Sequence, residues 1–159
     1  MTTDLGALYT EYAPHVFRFA LYLSGNRADA EDITSETFVR AWASSGEIRA
    51  ATVKGYLLTI ARNLFLQGLR KRSRQVALDP DLRDPRAGPH AQAEVESELR
   101  AVLVELQRLP EIDRAALLMR AADEMPYDEI AHALGISLAS VKVKIHRARL
   151  ALAHTRGAP

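Results

Sequence analysis

A segment rich in proline and glycine interrupts the sequence and limits what the chain can fold into. Residues 80–89 contain three prolines and one glycine and lack the regular apolar spacing of a helix or a strand. Proline removes a backbone N–H and disfavours helical conformation in the residue before it, so this segment cannot continue a helix. We therefore predict two domains, residues 1–74 and 94–159, joined by a flexible linker over residues 75–93.

Apolar residues recur at helical spacing on both sides of this linker. In the N-terminal domain they form a first stripe, in which Pro14 predicts a break or kink, at Leu5, Leu8, Tyr12, Val16, Phe19 and Leu23. A second stripe, after a helix cap at Asn26, consists of Ala30, Ile33, Thr37 and Ala41. A third helix is predicted from about Thr52 to Ser73. No segment alternates as a strand, so the predicted fold is all-α with two small helical domains.

Composition excludes several classes of protein. The chain has no cysteine, which rules out disulfides and zinc fingers, and its five histidines are scattered. Glycine-rich phosphate loops, HExxH and nucleophile-elbow motifs are absent from the sequence, so we expect no enzyme activity, no metal, no cofactor and no small-molecule substrate. No apolar run approaches the length of a membrane span, and the N-terminus is unlike a signal peptide, which indicates a cytoplasmic protein.

The stretch "YDEIAHALGISLASVKVKIHRARLAL", residues 127–152, has the pattern of a helix-turn-helix. Gly135 stands where the chain must turn through a left-handed conformation, and Ala131 is small where the second helix crosses the first. The second helix would lie in a major groove of DNA. Its predicted outward side chains are Ser140, Lys142, Lys144, His146 and Arg147.

A second basic segment, residues 62–74, has no helix-turn-helix of its own. Its arginines and lysine would attract phosphates, while Tyr56, Asn63 and Phe65 could stack on or bond to unpaired bases. The alternatives to a nucleic-acid surface are that the segment is simply a solvated helix end and that Phe65 belongs to the core. An acidic helix precedes this segment and carries Asp29, Glu31, Asp32 and Glu36.

These motifs together resemble the bacterial sigma factors of the small extracytoplasmic-function (ECF) group, over nearly the whole chain. "DAEDITSETFVRAW" is similar to the region 2 helix that docks on the beta-prime clamp helices of RNA polymerase. "YLLTIARNLFLQGLRKRSR" is similar to the part of region 2 that captures and melts the minus-ten element. The segment from Leu106 to Arg149 is similar to region 4, which reads the minus-thirty-five element.

The resemblance implies a role for each set of residues. The residues implied in polymerase docking are Asp29, Glu31, Asp32, Glu36 and Trp42. For Trp42 the alternative is a position in the core, and we predict the core position. The minus-ten element falls to Tyr56, Arg62, Asn63, Arg70, Lys71 and Arg72, with a flipped-out base held by the loop from Ser44 to Thr52. The minus-thirty-five readers are Lys142, Val143, His146 and Arg147, and the backbone contacts are Ser140, Lys144 and Arg149. Arg147 is the strongest candidate for guanine, because arginine can bond two acceptors at once.

The sequence departs from the family pattern at Tyr56, Thr59 and Gln67, where tryptophan, a basic residue and aspartate are common. The implied partners are core RNA polymerase, through the beta-prime clamp helices and the beta flap, promoter DNA and an anti-sigma factor, which could hold the protein at the inner face of the membrane. The alternative is a dimeric helix-turn-helix regulator that binds an operator without polymerase. Two distinct basic surfaces and an acidic helix favour the sigma factor, since a regulator of that kind normally uses one basic surface per subunit.

Overall fold

The structure, a computed structural model, describes residues 5–44, 52–78 and 97–157. These residues form seven helices and no strand, which confirms the predicted all-α class. The helices are α1 (Leu5–Ser24), α2 (Arg27–Ala43), α3 (Val53–Leu78), α4 (Ser97–Gln107), α5 (Glu111–Ala121), α6 (Tyr127–Leu134) and α7 (Leu138–Gly157).

The N-terminal domain consists of α1, α2 and α3, each of which contacts the other two. The predicted cap is confirmed, because the Asn26 side chain accepts a hydrogen bond of 3.0 Å from the Asp29 backbone N–H. Of the break or kink predicted at Pro14, the break is wrong, since α1 continues through this residue to Ser24. Packing of one face of α1, including the fully buried Val16 and Phe19, stabilises the helix despite the missing N–H.

Helix α3 is longer than the spacing of apolar residues indicates. It extends to Leu78, so the first four residues of the predicted linker, Gln75 to Leu78, are helical. Positions 79–93 of that linker, like residues 45–51 of the loop predicted to hold a flipped-out base, lie outside the described residues.

The C-terminal domain contains the helix-turn-helix as α6 and α7. Gly135 ends α6 with φ 67° and ψ 35°, the left-handed conformation predicted for it, and the Ile136 N–H then donates to the Ala131 carbonyl. Apolar side chains of both helices are buried in one core, including Ile130 of α6 and Val141 and Ile145 of α7. The geometry of this turn is therefore set by one glycine and a small apolar core.

The two domains pack against each other, and one apolar core continues from α1 and α3 into α5, α6 and α7. Polar contacts also cross the boundary. The Gln107 side-chain amide donates to the Tyr22 and Leu23 carbonyls at 3.1 and 3.2 Å. These carbonyls lie in the last turn of α1, where a helix leaves backbone acceptors without partners of its own, so α4 caps α1.

Candidate functional site

The exposed face of α7 carries the side chains that were predicted to read bases. Lys142, Val143, His146 and Arg147 are exposed, while Val141 and Ile145 face the core. The helix begins at a cap that sequence reasoning missed: the Ser137 hydroxyl accepts from the Ser140 N–H at 3.1 Å. A serine directly before an apolar helix is the signal that could have identified it.

The residues assigned to backbone contacts lie on the two flanks of this face. Ser140 and Lys144 are half-buried on one flank, on the same side of α7 as Arg147. Arg149 lies on the other flank, where it lines an apolar groove of about 600 Å³ between α7 and α4 together with Val102 and Leu152. The structure therefore separates Arg149 from the other two.

Arg147 forms a bidentate ion pair with Asp113 of α5. Its Nε donates to Asp113 Oδ2 at 2.8 Å, and its Nη2 donates to Oδ1 at 3.0 Å. The Arg147 side chain is 58% exposed and the Asp113 side chain is 1% exposed. The hydrogen bonds that Arg147 donates to Asp113, followed by the negative charge of Asp113, raise the pKa of Arg147, so the guanidinium stays charged.

Three of the predicted minus-ten residues share one face of α3. Tyr56, Asn63 and Arg70 are seven residues apart, close to two helical turns, so they follow one another along the helix. Asn63 and Arg70 are exposed, and the Tyr56 hydroxyl donates to Ser44 Oγ at 2.8 Å. Lys71 is also exposed, next to Arg70. This face, which we call the α3 outer face, consists of Tyr56, Asn63, Arg70 and Lys71.

The other two predicted minus-ten arginines are engaged in ion pairs. Arg62 contacts the C-terminal domain, where its Nε and Nη2 donate to the two carboxylate oxygens of Glu111 at 2.6 and 2.9 Å. Arg72 instead donates to Asp29 of α2 at 2.9 Å. The structure therefore places Arg62 at the domain boundary and Arg72 between two helices of its own domain, away from the α3 outer face.

A second carboxylate of the C-terminal domain lies at the N-terminus of α3. Glu129 accepts a short hydrogen bond from the Thr52 hydroxyl, which in turn accepts from the Gly55 N–H at 3.0 Å. A Cβ at position 55 would collide with the Glu129 carboxylate, so glycine is needed for this close approach. The positive end of the helix dipole favours an anion there.

A third interdomain contact involves the buried Asp123, which follows α5. Arg18 of α1 donates to the Ala122 carbonyl at 3.0 Å and to Asp123 Oδ1 at 3.3 Å. The His15 Nδ1 lies 3.4 Å from the same oxygen. Burial raises the pKa of Asp123, and the charge of Arg18 opposes that rise.

The acidic residues of α2 do not all share one surface. Glu31, Asp32 and Glu36 are exposed, whereas Asp29 is buried and paired with Arg72. The placement of Trp42 in the core is wrong, because this side chain is 67% exposed. It lies near the end of α2, where the chain has left the stripe of buried residues that ends at Thr37.

Sequence reasoning missed the acidic partners in the C-terminal domain. Glu111, Asp113, Asp123 and Glu129 each pair with a group that is 34 to 105 residues away in the chain. No local pattern encodes such partners. Within the described residues there is no group of three potential metal ligands, and no helix in that part of the chain is long and apolar enough to cross a membrane.

Comparison with known families agrees with this geometry. Residues 8–75 match the model of sigma-70 region 2, and residues 99–152 match the model of sigma-70 region 4. The first range contains α2 and α3 up to residue 75, and the second contains the helix-turn-helix up to residue 152. The class of protein is therefore that of sigma factors with regions 2 and 4.

Curated relatives narrow the class. The chain is 40% identical over 147 residues to the ECF RNA polymerase sigma factor SigE of Mycolicibacterium smegmatis, covering 89% of this chain and 57% of that protein. It is 32% identical over 154 residues to the ECF RNA polymerase sigma factor SigM of Bacillus subtilis, covering 94% of this chain and 91% of the relative. The chain belongs to the ECF family of sigma factors, which are transcription initiation factors.

Solved structures support the same family. The sigma factor RpoE of Bartonella quintana, crystallised with the anti-sigma factor NepR, has a TM-score of 0.81 at 26% identity and covers 95% of both chains. The sigma factor SigJ of Mycobacterium tuberculosis has a TM-score of 0.58 at 25% identity, covering 90% of this chain and 52% of that one. The alternative of a dimeric operator-binding regulator is not favoured.

Proposed function

We propose that this protein directs core RNA polymerase to promoters that have minus-ten and minus-thirty-five elements. The observation that carries the proposal is the distribution of three different surfaces over three helices of one sigma fold. An exposed acidic surface lies on α2, a polar and basic one on α3 and a basic one on α7. A regulator that binds DNA alone has no evident use for the first two. Catalysis would belong to the polymerase, and the protein would act in the cytoplasm, at the nucleoid.

For polymerase docking we propose the exposed part of α2. Glu31, Asp32 and Glu36 supply negative charge, which accelerates encounter with a basic surface and orients it. Trp42 and Val39, which are 67% and 55% exposed, add apolar area beside these acids. A large exposed aromatic next to charged groups is typical of an interface anchor. Asp29 would act indirectly, through its ion pair with Arg72.

For the minus-ten element we propose the α3 outer face. Asn63 can bond base edges, Tyr56 can stack on an unpaired base, and Arg70 and Lys71 supply phosphate contacts. Arg62 would join them only after it leaves Glu111. For the minus-thirty-five element we propose that Lys142, Val143, His146 and Arg147 read bases in the major groove, while Ser140, Lys144 and Arg149 contact the backbone.

This proposal requires the two domains to separate. The two elements are about 25 base pairs apart, which at about 3.4 Å per base pair is on the order of 85 Å. A compact chain of 159 residues spans only roughly 40 Å. The packed arrangement of α1 and α3 against α5 and α6 therefore cannot contact both elements at once, and the linker must allow the domains to move apart.

We also propose that the beta-prime clamp helices receive α2, that the beta flap receives the C-terminal domain, and that an anti-sigma factor regulates the protein. The similarity to RpoE, whose crystal structure contains the anti-sigma factor NepR, supports the last point. An anti-sigma factor with a membrane anchor would hold this protein at the inner face of the membrane.

A pull-down with bacterial core RNA polymerase tests the proposal. We expect the unaltered protein to be captured and the double variant Asp32→Lys/Glu36→Lys to be lost. The matched control, Glu11→Lys/Glu98→Lys, makes the same change in net charge at two exposed acids outside α2 and should still be captured. If polymerase captures none of the three proteins and the purified chain binds a palindromic operator as a dimer, the regulator is the correct class.

A further inference from the structure

The pairing of Arg147 with Asp113 leaves one side of the guanidinium available for another ligand. A guanidinium carries five N–H groups in one plane. Asp113 takes the Nε hydrogen and one Nη2 hydrogen, at 2.8 and 3.0 Å. The second Nη2 hydrogen and the two Nη1 hydrogens remain. They lie at the end of the guanidinium and point away from Asp113. Guanine presents two acceptors, O6 and N7, in the major groove, which match this free end.

The Asp113 carboxylate, which holds the Arg147 guanidinium, has a fixed position. Asp113 is in the first turn of α5, where the helix dipole favours a negative charge, and its side chain is 1% exposed. Helix α5 packs directly against α7, and the two helices contribute buried residues, among them Ala115 and Ala148, to one apolar core. The carboxylate therefore has a fixed position relative to the exposed face of α7.

Fixing Arg147 in advance has an energetic consequence for DNA binding. A free arginine loses much of its rotamer freedom when it binds a base, and this loss weakens the contact. Arg147 has already lost part of that freedom to Asp113, although 58% of its side chain is exposed to an incoming ligand. Its contact with guanine would then be both stronger and restricted to one orientation.

We propose that Asp113 is a positioning residue for promoter recognition. It holds the Arg147 guanidinium so that the remaining Nη1 and Nη2 hydrogens select guanine in one base pair of the minus-thirty-five element. This inference rests on the proposed function, since it takes Arg147 as a reader of bases. Asp113 itself does not contact DNA. Its effect is specific to the base pair that Arg147 reads.

The test measures base preference at each position of the minus-thirty-five element. A promoter library with that element randomised is transcribed by polymerase reconstituted with the full-length protein, and the same library as duplex DNA is selected by the isolated full-length protein. The variants are Asp113→Asn, Arg147→Ala and the double variant. Asp123→Asn is the matched control, because Asp123 is also a buried carboxylate paired with an arginine, but that arginine is Arg18 of α1 and not a residue of α7. Thermal unfolding of each variant reports the loss of stability separately.

We expect Arg147→Ala to lower the preference for guanine at one position by roughly ten-fold or more, the lower part of the range for a bidentate contact. Asp113→Asn should lower it at that same position by about three- to ten-fold, and should change nothing further when Arg147 is alanine. Asp123→Asn should leave every base preference unchanged, even if it lowers the unfolding temperature.

The possible failures are distinguishable. If Arg147→Ala relaxes one position and Asp113→Asn does not, or if Asp113→Asn weakens all sequences alike, the positioning role of Asp113 is wrong and the proposed function stands. If Arg147→Ala leaves all preferences unchanged, Arg147 is not a reader, and the role of Asp113 falls with it. Failure of the unaltered protein to direct polymerase to any member of the library would overturn the proposed function itself.

Discussion

Replacement of Glu111 by glutamine should weaken the contact between the two domains. Glu111 holds Arg62 through two hydrogen bonds of 2.6 and 2.9 Å, and the two side chains are only 19% and 13% exposed. Glutamine has nearly the same shape but keeps only one acceptor oxygen and has no charge. Arg62 would then remain largely buried without its counter-ion.

The magnitude follows from the burial of the pair. A hydrogen bond to a charged group contributes about 1.5–3 kcal/mol to stability, and the partial exposure of this pair favours the lower half of that range. We take about 2 kcal/mol, which shifts the equilibrium between packed and separated domains by roughly 30-fold. The contacts of Arg18 with Asp123 and of Thr52 with Glu129 still oppose separation of the domains. The variant should therefore increase the fraction of molecules with separated domains without separating all of them.

Energy transfer between two dyes can measure this shift. The chain has no cysteine, so cysteines introduced at the exposed Thr10 and His154 accept dyes at one site in each domain. Glu105→Gln is the control, because it removes the same charge from an ion pair with Arg108 inside the C-terminal domain. Lower transfer in Glu111→Gln alone is the expected result. Equal transfer in the unaltered protein and both variants would show that the Arg62–Glu111 pair does not hold the domains together.

Three other predictions concern the turn, the DNA contacts and pH. Gly135→Ala should lower the free energy of unfolding by about 1–2 kcal/mol, because φ there is positive, whereas Gly68→Ala, in open space within α3, should raise it by about 0.5–1 kcal/mol; urea unfolding measures both. Lys144→Ala should weaken binding to specific and scrambled promoters equally in a filter assay, and a loss confined to the specific promoter would contradict its backbone role. Burial raises the pKa of Asp123 above 3.8, so the folded state binds this proton more tightly than the unfolded chain. The difference in unfolding free energy between the unaltered protein and Asp123→Asn should therefore fall as the pH rises from 3.8 through the higher folded-state pKa, and a rise would contradict the assignment.

Much of the fold could be predicted from the sequence, because helices depend on local rules. The apolar spacing predicts which face of α2 is buried, and the Asn26 cap and the Gly135 turn each depend on residues within a few positions. The sequence predicts the positions of helix ends less accurately where such signals are lacking. Helix α3 continues to Leu78 because nothing before the first proline of the linker stops it.

The surroundings of the predicted site residues could not be predicted in the same way. Arg62 and Glu111 are 49 residues apart, and Arg147 and Asp113 are 34 residues apart. Which acid meets which base depends on how helices cross, and charge patterns along one helix report only neighbours three or four positions away. The same limit explains why the sequence pattern groups Asp29 with the exposed acids and places Trp42 in the core.

The acids of the C-terminal domain link its packing to the promoter contacts. Glu111 binds Arg62, a predicted DNA-binding residue, and Glu129 occupies the N-terminus of α3, where the helix dipole would also favour a phosphate. DNA at the minus-ten element would therefore compete with these two carboxylates for the same positive groups. The apparent affinity of the isolated protein for that element would be its intrinsic affinity multiplied by the fraction of molecules whose domains are apart. Asp113 differs from both, because it binds Arg147 within one domain and can keep that contact when the domains separate. The packed form would thus restrict minus-ten binding, whereas it would leave the exposed face of α7 available to DNA.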